Sequence, residues 1–347
     1  MSRTVAFAYP GNLALNTGGY AYDRRVIAGL LDRGWNVEHL PLGDGFPFPS
    51  PETKREAEEL LSALPDGARL VADGLAFGVL EGWAEREGGR LRIIALVHHP
   101  LALETGIATE DRDRFTESER RALACAKHVI VTSPTTGRAL TSAYGVPADR
   151  ITAAVPGTEP GPMANGDGDP PHILSIGTLI PRKGHDVLIA ALKRIDHLPW
   201  TATIFGSRTL SPQTARELEA QVIATGLEDR ISLPGECADT RPFLAKADIF
   251  ALASRFEGYG MVFAEALSQG LPIVACRTGA VPDVVPEDAG MLTPVDDVEA
   301  FAAALGSLVT DRGLRRRKAA AARRAGSLLP RWEDTVDIIS GRLEAIS

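Results

Sequence analysis

The chain has 347 residues, 44% of them hydrophobic, and a formal charge of −8, which gives length for two ordinary domains, each with its own core. That acidic balance excludes wholesale attraction to nucleic acid or anionic lipid, and no apolar run approaches the length of a membrane span. Cys125, Cys237 and Cys276 are scattered without metal-ligand spacing, so a disulfide framework is excluded; they read as small core residues of a cytoplasmic, reducing compartment.

Apolar runs of strand length alternate with amphipathic stretches along the whole chain, the pattern of parallel α/β sheets with right-handed crossovers. In the first half the strands are predicted near 3–9, 36–41, 69–73, 91–97, 128–132 and 151–155. The opening run Thr4–Ala8 is too short for a signal-peptide core and reads better as the first strand. After it comes the loop Gly11–Tyr22, where Gly18 and Gly19 precede a helix. They either let backbone amides approach a phosphate or an acceptor, or serve only as a flexible turn. Asn16, Tyr20, Tyr22 and the stretch Glu104-Thr-Gly106 are candidates for acceptor recognition. The run Leu91–Val97 delivers His98 and His99 to a strand's carboxyl end, where an imidazole can polarise a hydroxyl or carry a proton near neutral pH.

The stretch Pro156–Pro171 is crowded with residues that break both periodic structures and is the natural hinge. It sets the expected domains at 1–160 and 171–329. Asp167-Gly-Asp169 within it spells a carboxylate pair of the kind that binds a metal–nucleotide, but its place favours a linker turn, and no metal site is expected. Strands in the second half are predicted near 172–177, 200–205, 230–233, 248–252, 272–275 and 290–292. Two such units facing each other form a cleft, with ligands at the carboxyl ends of the strands. Arg315-Arg-Arg-Lys318 and Arg323-Arg324 lie in an alanine-rich helical stretch and read as a solvated face.

The most informative segment is Glu257-Gly-Tyr-Gly-Met-Val-Phe-Ala-Glu265, which follows the apolar run Asp248–Ala253. Gly258 and Gly260 remove side chains where the backbone turns into a helix, so amides around Tyr259, Met261 and Val262 can approach an anion such as a diphosphate. Glu265 sits on that helix with few polar neighbours, where a carboxylate needs donors such as sugar hydroxyls. Eight helical steps span roughly 12 Å, enough for one acid to hold a ribose and the other a donor sugar. The alternative gives the glycines to turn geometry, Glu257 to the surface and Glu265 to a salt bridge. Arg182 and Lys183 precede Gly184 at a helix start, where they can neutralise charge developing on a diphosphate.

The acidic pair and its spacing resemble the Glu-x7-Glu motif of the retaining glycosyltransferases of family 4, whose fold is called GT-B. Ile176–Gly184 is similar to that family's diphosphate-clamp loop, Phe205-Gly-Ser207 to its next strand end, and Ile231–Gly235 to its base-proximal turn. Leu271–Ala275 and Thr278–Asp283 match the strand and loop that follow the acidic motif; the first half matches through Gly18-Gly19 and His98. The resemblance implies two Rossmann-like doubly wound domains facing across a cleft, with the last helix, from Pro330, packing back on the first. It implies a nucleotide-diphosphate sugar as donor substrate with no cofactor, and metal-independent transfer to a carbohydrate, lipid-linked or small-molecule acceptor with retention of anomeric configuration. Lys183, Arg182, Glu257 and His98 would be catalytic, with His98 against the donor sugar. Glu265, Gly258, Tyr259, Gly260, Met261, Val262, Gly18 and Gly19 would bind the donor. Some relatives dock transiently on membranes, which makes peripheral contact at the inner membrane face a further expectation. The family commonly has an arginine after the glycine matching Gly177, whereas this chain has Thr178; Arg182 is the substitute cation. A dinucleotide-dependent oxidoreductase is disfavoured, because Tyr9–Ala14 holds no Gly-x-Gly-x-x-Gly turn. A nucleotide-sugar epimerase or hydrolase on a similar fold and a non-catalytic nucleotide-binding protein are the rival readings.

Overall fold

The computed structural model describes residues 3–103 and 107–346, so Glu104-Thr-Gly106 lies outside the described residues. The chain divides into two compact units, Met1–Gly157 with Pro330–Ser347, and Thr158–Leu329.

In the first unit the strands β1 (Thr4–Tyr9), β2 (Asn36–Pro41), β3 (Arg69–Asp73), β4 (Arg92–Val97), β5 (His128–Val131) and β6 (Ile151–Ala153) form one sheet in the order β2-β1-β3-β4-β5-β6. Neighbouring strands run parallel, with Ala6 opposite Leu70 and Ala72 opposite Ala95. The period of two in a strand decides which helices cover which face. Val5, Phe7, Ile94, Leu96 and Ile130 point into a core shared with α1 (Gly18–Asp32), whose Tyr22, Val26 and Leu30 recur at helical spacing. Ala6, Ala8, Leu70, Ile93 and Val129 point the other way. They meet α2 (Pro51–Ser62), α3 (Gly74–Phe77), α4 (Glu81–Glu87), α5 (Thr109–Cys125) and α6 (Pro134–Tyr144), with Trp83 fully buried among them.

In the second unit β7 (His172–Ile176), β8 (Thr201–Phe205), β9 (Ile231–Gly235), β10 (Ile249–Leu252), β11 (Ile273–Cys276) and β12 (Gly290–Thr293) are ordered β12-β11-β10-β7-β8-β9, again parallel. One face packs on α7 (His185–Arg194), α8 (Pro212–Ala224) and α12 (Val298–Thr310). The helices α9 (Arg241–Leu244), α10 (Met261–Ser268), α11 (Val281–Val284) and α13 (Arg312–Gly326) complete this unit. From the other face, Phe250 of β10 meets Phe263 of α10 edge to face at 5.7 Å. The last helix, α14 (Trp332–Ala345), belongs to the first unit, where Val336, Ile339 and Leu343 lie against α1.

Two sequence readings change on inspection, and a third gains detail. Within the expected hinge Pro156–Pro171, residues 158–171 are strapped to the second unit. Asp248, 2% exposed, accepts from the amides of Gly168 at 2.9 Å and His172 at 2.8 Å, and Gln269 donates to the Pro162 carbonyl at 2.7 Å. The basic run on α13 is not wholly a solvated face: Arg315 is buried and donates to the Leu308 carbonyl at 2.7 Å, closing an open helix end. Of the cysteines only Cys276 is buried, and Cys125 and Cys237 are half-buried.

Candidate functional site

In the second sheet the strand order reverses between β7 and β10, and doubly wound sheets bind their ligands beyond the carboxyl ends at such a reversal. The two segments singled out by sequence emerge there. Ile176–Gly184 follows β7, and Glu257–Gly260 follows β10 and leads into α10.

Glu257 is 4% exposed, and its Oε1 is the more heavily engaged of its two oxygens. Oε1 accepts from Lys183 Nζ at 2.7 Å and from Ser254 Oγ at 2.6 Å. Arg182 Nη1 lies 3.8 Å from Oε2 and donates to the Phe256 carbonyl at 3.1 Å. Burial alone would push this carboxyl up, but the charges of Lys183 and Arg182 outweigh it and hold it below the usual carboxylate range. The structure therefore joins half-buried Lys183 and Arg182 to buried Glu257 in one cluster, a link the sequence does not express.

Behind the turn, His185 is buried and its Nε2 lies 3.0 Å from the Gly177 carbonyl. Burial depresses its pKa to about 4, so the ring is neutral and donates to that carbonyl, bracing the loop in front of it. A short 3₁₀ turn, Pro181–Lys183, aims the two cations.

Gly260 starts α10 with φ +91°, a left-handed conformation, and a Cβ there would come within 2.6 Å of the Phe263 ring. No side chain caps this helix, so the amides of Met261 and Val262 in its first turn form an open donor group with the positive end of the helix dipole behind them. Tyr259 is buried, and its hydroxyl is pushed up to about 12 by burial. Glu265 lies one helical stretch further on. Burial raises its carboxyl to about 7, with the charge of Arg241 only partly offsetting it. A carboxylate so placed is one whose ionised form awaits donors.

In the first unit, Gly18 and Gly19 open α1, with Thr17 capping it through the Tyr20 amide at 3.3 Å. His98 follows β4, and its Nε2 lies 3.2 Å from Asp23 Oδ1 and 3.4 Å from Asp73 Oδ2. The ligand-type atoms of these three residues all fall within 4.8 Å of one another. Neither aspartate is marked by any local sequence pattern. Tyr22 is spent on the core rather than an acceptor: it is 1% exposed and its hydroxyl donates to the Ala154 carbonyl at 2.7 Å. Tyr20 likewise donates to the Pro10 carbonyl at 2.7 Å.

Two parallel Rossmann-like units, the second carrying an uncapped helix mouth flanked by two acids and a basic turn, define a protein of the GT-B class. The chain belongs to glycosyltransferase family 4: residues 170–311 match the family model for glycosyl transferases group 1, and residues 21–160 match that for glycosyltransferase family 4. It is similar to the D-inositol 3-phosphate glycosyltransferase of Xylanimonas cellulosilytica, at 31% identity over 271 residues, covering 70% of this chain and 64% of that protein. The chain thus spans a little under two thirds of the length of that curated relative. Among solved structures, the sucrose-phosphate synthase of Thermosynechococcus elongatus superposes with a TM-score of 0.83 at 22% identity, covering 98% of both chains. The Anabaena protein HepE in complex with UDP-glucose gives 0.76 at 18% identity and 99% of both chains. At these identities the likeness to the solved structures is one of fold.

Proposed function

We propose that the protein moves a sugar from a nucleoside-diphosphate sugar to an acceptor hydroxyl with retention of anomeric configuration. The observation that carries this reading is the cluster of Lys183 and Arg182 around the buried Glu257 at the mouth of α10. A leaving diphosphate gathers negative charge, and a transition state is stabilised most by donors and cations already in place. The amides of Met261 and Val262 and the side chains of Arg182 and Lys183 supply both. Arg182, held against the Phe256 carbonyl and Glu257, stands in for the cation missing at Thr178. With these cations the transfer needs no divalent metal and no cofactor.

Glu257, kept ionised by Lys183, accepts from hydroxyls of the donor sugar, and Glu265 accepts from the two ribose hydroxyls. The departing diphosphate helps deprotonate the acceptor on the same face, which preserves the anomeric configuration. HepE has been crystallised with UDP-glucose, and the Xylanimonas relative is named for transfer to an inositol phosphate, so UDP-sugars and small polyols are the first donors and acceptors to offer.

The test is incubation with UDP-, GDP- and ADP-sugars and an acceptor panel, with and without a chelator, followed by mass spectrometry and anomeric NMR of the product. A retained anomer formed in chelator supports the reading. An inverted anomer, or product only with added metal, removes the proposed mechanism.

A further inference from the structure

In the first sheet the order reverses between β1 and β3, and the cluster of Asp23, Asp73 and His98 gathers around that point, on α1, at the end of β3 and just beyond β4. Asp23 is 0% exposed, and while its Oδ1 faces the ring, its Oδ2 has no hydrogen-bond partner among the described residues. Asp73 is 3% exposed; its Oδ1 accepts from the Leu75 amide at 2.7 Å, leaving Oδ2 for the ring. Two carboxylates this deeply buried are costly unless a cation or protons neutralise them. The one cationic group acting on Asp23 is His98. The ring itself is held in place. Thr132 donates to the His98 carbonyl at 3.0 Å, the Tyr22 ring packs edge-on at 5.3 Å, and a Cβ at Gly19 would already touch its Cδ2 at 3.4 Å.

We propose that Asp23 and Asp73 are positioning residues that hold His98 as an imidazolium, its Nε2–H given to the two carboxylates and its Nδ1–H left for an oxygen of a ligand bound at the first unit. Nδ1 has no hydrogen-bond partner among the described residues. Among the described residues, Tyr22 packs on the ring, and Tyr20, with Asp44 acting on it, faces the two aspartates; both phenols are pushed up, first by burial, and stay neutral donors. Burial by itself lowers the ring's pKa, but the charges and hydrogen bonds of Asp23, and then of Asp73, outweigh it and lift it to about 10. Burial raises Asp23 to about 7 against the pull of His98. The two carboxylates beside Nε2 thus favour the charged ring over the neutral base, which an isolated histidine near its ordinary pKa would not do.

This deepens the transfer reading and rests on it only for its kinetic part. The test is a titration of the intact protein labelled at histidine, following the ring nitrogens by NMR in the wild type, Asp23→Asn and Asp73→Asn. The wild-type His98 should remain doubly protonated at about pH 8, and Asp23→Asn should lower its midpoint by about one pH unit or more. In the transfer assay Asp23→Asn should reduce kcat roughly 100-fold with little change in the donor KM, and should add nothing in a His98→Gln background. The wild-type titration stands even if a variant fails to fold. A ring already neutral near pH 7 overturns the proposal, as does a midpoint unmoved in both variants. So does a stoichiometric divalent ion, found by mass spectrometry in the purified protein, whose removal shifts the His98 resonances. Should no nucleotide sugar be turned over while the ring titrates as expected, the clamp stands and the transfer reading falls.

Discussion

Lys183→Met is the most direct perturbation of the proposed donor site, because Lys183 is the nearest cation to a carboxylate only 4% exposed. Removing one partner of a buried ion pair costs about 3–5 kcal/mol, since the other is left charged in a poor solvent. Here Ser254 still donates at 2.6 Å and Arg182 remains at 3.8 Å, so the lower end, about 3 kcal/mol, is expected. For a unit the size of Thr158–Leu329 that loss lowers Tm by roughly 6–12 °C. Glu257→Gln in the same chain should return about 2 kcal/mol, because it removes the orphaned charge. The sign of the pH dependence follows from the Glu257 carboxyl being held below its usual range. In the wild type its contribution is present above the ordinary carboxylate pKa and is lost as pH falls through the depressed value. The variant's deficit should therefore shrink in acid. Scanning calorimetry of the four proteins measures the cycle, and titration of a UDP-sugar should show weak or no binding for both Lys183 variants. A Tm for Lys183→Met within about 1 °C of wild type, or a double variant no more stable than the single, would refute the account of the pair.

Glu265→Gln should separate stability from binding. Burial raises this carboxyl to about 7, so the wild type is most stable below the ordinary carboxylate pKa and loses that stability as pH rises through about 7; the Gln protein should gain on it in Tm across that window while binding nucleotide roughly 10- to 100-fold more weakly at high pH. Parallel Tm–pH curves would contradict the assignment. Asp248→Ala frees the amides of Gly168 and His172 and should cost about 2–4 kcal/mol, accompanied by faster proteolytic cleavage within residues 158–171; an unchanged cleavage rate would show that the strap is held elsewhere.

The strands were readable because each is a short apolar run between turn residues: the expected strand near 36–41 is β2 at Asn36–Pro41, and that near 69–73 is β3 at Arg69–Asp73. The acidic segment was readable for the same local reason, since Gly260, Met261 and Val262 are neighbours in sequence as well as at the helix mouth. The partnerships were not. Lys183 and Glu257 are 74 positions apart, and His98 and Asp23 are 75 apart; no periodicity encodes a contact made only when the sheet order brings distant segments together. Residues 158–171 were legible only in part, for a related reason. Their composition forbids regular structure, and it is silent on whether Asp248 and Gln269 will tie them down.

The first unit is written in two pieces, with the second inserted after Gly157 and the chain returning at Pro330. Exit and return press together, since a Cβ at Gly157 would fall on the backbone of Trp332. During ribosomal synthesis the inserted unit can therefore reach its native core while the earlier one still lacks α14, leaving the α1 surface around Gly29 uncovered until Val336 emerges. A premature stop anywhere in the final stretch would then leave the inserted unit whole and the unit begun first incomplete.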